Sequence, residues 1–176
     1  MRKHNGMRPQ DVLILLKMTT LRHTFWRIED LRLSLKLSAS EVSEALDRCR
    51  MAKLVDVSKR KVHAASFLEF LFYGLKYAFP VQPAGIVRGI PTAYSAPPIN
   101  TMIVANSQKV VWAYAKGTER GQAIEPLYKT VPEVVENDLQ LYELLALVDT
   151  IRIGKVREVE IAKKELTKRI KNDGGF

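Results

Sequence analysis

Lys59-Arg60-Lys61 is the longest unbroken run of cations in this 176-residue chain, and two small hydroxyl side chains, Ser40 and Ser43, stand upstream of it among Lys36, Arg48 and Arg50. Consecutive cations suit phosphates, while hydroxyl and guanidinium groups on one helix suit the donors and acceptors of base edges. That chemistry is recognition. Side chains suited to catalysis are scattered: His4, His23 and His63 lack metal-ligand spacing, and Cys49 is the one cysteine. No nucleophile elbow, HExxH, P-loop or dinucleotide fingerprint occurs. The chain is therefore expected not to be an enzyme and to need no cofactor or metal. The tightest charge group beside an apolar stretch is Asp149, Arg152, Arg157 and Glu158. It reads as an ion-pair network locking the last two helices, ahead of a catalytic carboxylate at Asp149.

The elements that must position the recognition residues lie at 26–54. Ile28, Leu31 and Leu35 repeat at helical spacing, and Val42, Ala45, Leu46 and Cys49 form the inward stripe of a second helix. Between them Ser38 stands three residues before Glu41, the spacing of a reciprocal capping box, and Leu37 fills the elbow. Opposite the stripe lie Ser40, Ser43, Glu44, Asp47, Arg48 and Met51. Two short helices across a tight turn form the layout of a helix-turn-helix, with the recognition helix at about 39–52. Residues 53–57 read as a strand, 58–61 as the tip of a hairpin and Val62 as its return, giving a wing tipped with cations. Glu44 and Asp47 count against an easy DNA reading, since carboxylates repel phosphates, although they can accept from cytosine N4. Pro9 opens a further helix carrying Val12, Leu13, Leu15, Leu16 and Met18.

The stretch LRLSLKLSASEVSEALDRCRMAKLV resembles the central segment of bacterial winged-helix transcriptional regulators of the MarR-like kind. The resemblance implies that Ser38 is the cap, that Ala39 to Glu44 open the recognition helix and that Leu54-Val55 start the wing. It implies a DNA-binding transcriptional regulator; the side chains on the outward face and the cationic tip then expected to contact duplex DNA are Lys36, Ser40, Ser43, Arg48, Arg50, Lys59, Arg60 and Lys61. Two departures stand out. Arg32 occupies a place usually held by a small residue, and Lys36 and Lys53 stand where such families put glycine. The segments FLEFLFYGLKYAFP, RGIPTAYSAPP and LYELLALVDTIRIGKVRE also resemble parts of uncharacterised bacterial winged-helix proteins, extending the similarity over nearly the whole chain without implying a ligand. The alternative is a protein-interaction module, a winged-helix scaffold partnering another protein such as an enzyme encoded nearby.

Charge is unevenly distributed. Residues 1–63 hold 14 Lys or Arg against 7 Asp or Glu, whereas residues 64–176 hold 14 against 12. The positive excess thus falls on the segment with the helix pair, where released counterions would favour a phosphate backbone. No run of eighteen apolar residues and no apolar leader exists, so a cytoplasmic protein without membrane contact is expected, its single thiol an inert core group.

Beyond residue 63 the pattern changes. Residues 64–79 are apolar on nearly every face, which predicts one long helix buried in a subunit interface or covered by the C-terminal half. Prolines and glycines punctuate 80–132, with short strands expected at Met102 to Ala105 and Val110 to Tyr114, joined through Asn106-Ser107-Gln108. Arg-Gly recurs within 87–98 and 119–128 as a faint echo; Arg88 and Arg120 suit an anion, a partner's carboxylate or a pairing within the fold. Pro132 reads as the first residue of a short helical turn. Asp138 caps a helix to Ile153 that Gly154 stops, and Val159, Ala162, Leu166 and Ile170 line a final amphipathic helix. The expected fold is mainly α with a small β component. A winged helix-turn-helix at 8–63 precedes a helical extension and dimerisation region at 64–170, irregular at 80–132, and a disordered tail at 171–176. The apolar surplus at 67–77 and 139–151 predicts a homodimer through those helices.

Overall fold

A computed structural model describes residues 6–104 and 108–171. The turn at Asn106-Ser107 and residues 172–176 of the expected tail lie outside the described residues, whereas Lys171, expected at the start of that tail, ends the last helix. The chain is mainly helical with one small sheet. Its elements are α1 (Pro9–Thr20), α2 (Ile28–Leu35), α3 (Ala39–Met51), α4 (Ala64–Tyr73), α5 (Leu75–Ala78), β1 (Ile86–Pro91), α6 (Ile99–Met102), β2 (Val110–Ala113), β3 (Glu119–Ala123), α7 (Val131–Val134), α8 (Leu139–Ile153) and α9 (Val156–Lys171).

The core is centred on α1 and α8. Residues 11–16 of α1 and 144–151 of α8 are buried without a break, so each helix is covered on all sides. They pack on one another, α3 and α2 cover the far side of α1, and α9 covers α8. One continuous apolar cluster runs from Val12 to Ile170, so residues 8–63 and 64–170 share a core. Two ion pairs fasten α1 at either end. Asp11 in its first turn binds Arg48 of α3, and Lys17 Nζ lies 2.6 Å from the Asp138 carboxylate that caps α8.

The long helix expected at 64–79 is instead a ten-residue helix and a single turn, divided at Gly74. Phe67, Leu68, Leu71 and Leu75 are buried, whereas Tyr73 and Tyr77 are exposed. The surface covering this segment belongs to α8 and α9 of the same chain. Leu141, Leu144, Leu145, Leu147, Val148 and Ile151 of α8 are likewise buried within one chain. Within one chain α1 and α9 thus cover most of the apolar surplus read from the sequence, while Tyr77 and Leu139 stay exposed.

The irregular segment builds more sheet than its punctuation suggests. β1 is antiparallel to both β2 and β3, and β2 runs parallel to β3, so three strands close on themselves, and Trp112 of β2 is buried against α8. The Arg-Gly echo is part of this ring: Arg88 and Arg120 are direct cross-strand partners, both exposed, with no ion pair among the described residues. Met102 closes the helical turn α6, not a strand, and Val110–Ala113 is the strand that was expected there. Asp149 does not lock the last two helices. Its buried carboxylate accepts from Thr92 Oγ1 at 2.8 Å, Trp112 Nε1 at 2.7 Å and Arg152 Nη1 at 2.9 Å, tying α8 to the ring. Burial pushes this carboxyl up from its ordinary range, against the pull of those three donors. Glu158 instead accepts from the Lys155 backbone N–H at the start of α9.

Both α2 and α3 end on a lysine in the left-handed region. Leu37 N–H reaches Arg32 O and Lys36 N–H reaches Leu33 O; Leu54 N–H reaches Cys49 O and Lys53 N–H reaches Arg50 O. This is the pair of bonds that ends a helix on a residue with positive φ, here 52° at Lys36 and 58° at Lys53. Leu37 and Leu54, buried just beyond, complete both motifs. A Cβ is disfavoured in that conformation by roughly 1–2 kcal/mol, and glycine escapes this at some entropic cost. Lys53 is exposed and makes no ion pair among the described residues. Lys53→Gly is therefore expected to raise stability by about 1 kcal/mol, read as a higher urea midpoint at unchanged slope. A lower midpoint would mean that the lysine side chain contributes more than its backbone strain costs.

Candidate nucleic-acid interface

The helix pair is set by local chemistry. Ser38 Oγ accepts from Glu41 N–H at 3.2 Å while Glu41 Oε2 accepts from Ser38 N–H at 2.8 Å, the reciprocal cap expected from the spacing. The bond from the Ser38 backbone, with one from the Tyr128 hydroxyl, holds the Glu41 carboxyl below its ordinary range. Tyr128 comes from the C-terminal half, so the start of α3 is pinned from both sides. Val42, Ala45, Leu46 and Cys49 are buried as the stripe predicts, and burial pushes the Cys49 thiol up, which leaves it protonated and inert.

The outward face of α3 carries Ser40, Ser43, Glu44, Asp47, Arg50 and Met51. Arg48 does not belong there. Its guanidinium is only 6 % exposed and forks onto Asp11, Nε to Oδ2 at 2.8 Å and Nη2 to Oδ1 at 2.7 Å. The partner sits 37 positions away, on a helix whose sequence marks Asp11 only as a favourable first-turn acid. Lys36 is also spoken for, since its ammonium pairs with Glu133 of α7.

The wing is reduced to a turn with one bridge, Val55 to Val62, in place of the two strands expected. Asp56 organises it: its Oδ1 accepts from Arg60 N–H at 2.8 Å and Lys61 N–H at 3.0 Å, and its Oδ2 accepts from the Ser58 hydroxyl. Desolvation pushes the Asp56 carboxyl up, but these bonds outweigh it and hold the group below its usual range. Lys59, with φ of 59°, turns onto α3, and its Nζ lies 2.6 Å from Asp47. Arg60 lies over the Trp26 ring at 4.6 Å and donates to Trp26 O at 2.6 Å. Lys61 is exposed.

Of the two carboxylates on the outward face of α3, Asp47 is compensated, whereas the cation nearest Glu44 is already paired with Asp11. Asp47 meets Lys59, with Arg50 at 3.8 Å, and Glu44 lies 3.8 Å from Arg48. The structure brings Ser40, Ser43, Arg50 and the cationic turn onto one side, and takes Arg48 and Lys36 out of it. A further cation, Arg22, follows α1 and was legible only as a loop residue. Its Nη1 donates to Ile170 O at 3.0 Å, and it lines a cavity of about 350 Å³ together with Arg60 and Lys61. Among the described residues no group of three or more His, Cys, Asp or Glu side chains is placed to hold a metal ion, and no helix is long and apolar enough to cross a membrane. Comparison of the chain with models of protein families, with curated proteins and with solved structures gave no match.

Proposed function

We propose that this protein is a DNA-binding transcriptional regulator whose α3 faces the major groove while the turn at 58–61 lies against the phosphate backbone. One observation carries the reading. Asp47, the carboxylate on the outward face of α3 nearest the turn, is met by Lys59 at 2.6 Å, so the cationic turn and the face carrying the exposed Ser40, Ser43 and Arg50 form one surface on which Glu44 is the remaining acid. The positive excess of the first 63 residues supports it, since neutralised phosphates release counterions. Ser40 and Ser43 are assigned to bases or phosphates, and Arg50, Arg60 and Lys61 to phosphates. Lys59 acts indirectly, by neutralising Asp47. Two copies on one site would set their α3 helices about 34 Å apart on successive half-sites.

Fluorescence anisotropy on a duplex over a salt series tests this. Neutralising Lys59, Arg60 and Lys61 together is expected to flatten the log–log slope by about 2 units, most of it from Arg60 and Lys61. Absence of binding at low salt would reject the DNA reading. A slope unchanged in the triple variant would remove the turn from the interface. The second reading, a protein-interaction module, draws on the apolar side chains that the same lobe leaves exposed: Phe25, Leu33, Met51 and Val57.

A further inference from the structure

We infer that the C-terminal helix α9 extends the interface, and that Lys164 and Lys168 hold the sugar-phosphate backbone of duplex DNA beyond the wing. The inference rests on the DNA reading proposed above and adds a second region of phosphate binding to it.

Continuity of the cationic surface carries the idea. Two cavities, of about 350 and 440 Å³, open on either side of Arg22 and His23 and share both residues in their walls. The first reaches Arg60 and Lys61 of the turn; the second reaches Lys168 of α9. A third, shallow depression is bounded by Lys168 and Lys164. A path of cations therefore runs from Arg60 and Lys61 over Arg22 to Lys168 and Lys164, and its near end abuts the recognition face through the Lys59–Asp47 pair. Nothing in the first 63 residues alone suggests it, because its far half belongs to the last helix.

The charges on this path separate into two groups. Arg169 is held between Glu143 and Glu165, which outweigh its charge by one, and Lys163 is paired with Glu160 at 3.2 Å, so these two cations contribute no net attraction. Lys164 and Lys168 are exposed, one helical turn apart, and have no carboxylate partner among the described residues. One turn is about 6 Å of rise, which lets both ammonium groups follow a single strand. Arg22 donates through Nη1 to Ile170 O and through Nε to His23 Nε2, and it is exposed in the walls of both cavities. An apolar partner is disfavoured by the density of cations along the rim, whereas a polyanionic strand matches both the sign and the linear arrangement.

The test compares the double variant K164Q/K168Q with a charge-matched control, K155Q/R157Q, at the opposite end of α9, where both side chains are exposed. All four positions are on the surface, and circular dichroism checks that each variant is folded. Binding to a duplex of about three helical turns is followed over a salt series. The K164Q/K168Q slope is expected to fall by about 2 units, at roughly 0.9 for each phosphate no longer neutralised, while the control keeps the wild-type slope. Equal flattening in both variants would overturn the inference by reducing it to net charge. An unchanged slope in K164Q/K168Q beside normal wild-type binding would also overturn it and leave the role of α3 and the turn standing. A wild-type protein that does not bind the duplex would reject both.

Discussion

Arg48→Ala is expected to lower folding stability by about 3–5 kcal/mol, because it leaves a buried carboxylate without its counter-charge. Asp11 is fully buried, and two donors of one guanidinium satisfy both of its oxygens. Removing the arginine strands that charge between α1 and α3. Urea unfolding measures the loss. The paired replacement Asp11→Leu with Arg48→Met is expected to recover most of it, since well-packed apolar groups of similar volume are often neutral or better than a buried ion pair. Duplex binding measured where Arg48→Ala is still folded should keep its salt slope. A variant that melts like the wild type but loses salt-dependent binding would mean instead that Arg48 leaves Asp11 and reaches a phosphate. This outcome separates a structural arginine from a phosphate-binding arginine on the same helix.

Gly89→Ala is expected to cost about 4 kcal/mol or more, the range reserved for a change the fold cannot absorb locally. Gly89 is the residue of β1 that pairs with both other strands, Ala113 of β2 and Glu119 of β3. A Cβ built there would stand 1.9 Å from Trp112 O, and one built on Gly117 would stand 2.2 Å from the Gly89 carbonyl carbon. These contacts are backbone on backbone, so no side-chain rotation relieves them. Separating β1 from β2 would shift Trp112, which is 1 % exposed and donates to Asp149, so the ring and α8 should loosen together. Thermal melting followed by tryptophan fluorescence in a Trp26→Phe background reads the effect at Trp112. Gly85→Ala is the control: nothing lies within 4 Å of its added Cβ, and a change within about 0.5 kcal/mol is expected. Equal melting of the Gly89 and Gly85 variants would show that the ring opens without consequence for the core.

What the sequence alone determined lies in contacts of short range. Ser38 and Glu41 cap each other three residues apart, Asp138 caps α8 through Leu141 N–H, and Gly154 ends it. The inward stripe of α3 and that of α9 follow from helical period alone, as does the mainly helical class with a little sheet. Even Lys36 and Lys53, read as standing at glycine positions, mark real left-handed positions. Tertiary structure decided everything whose partner is far along the chain. Which way Arg48 points depends on Asp11, and periodicity places it outward because a helix wheel cannot contain an acid on another helix. Whether the apolar residues of α4 and α8 need a second subunit depends on how much of them α1 and α9 cover, a quantity that emerges only when the helices are packed. The three-stranded ring joins 86–91 to 110–113 and 119–123 through backbone bonds that leave little trace beyond glycines at the crossings. The candidate interface divides the same way. Ser40, Ser43 and the cationic turn are local and were legible, whereas the neutralising role of Lys59 and the approach of α9 to Arg22 exist only because the chain's two ends meet in one fold.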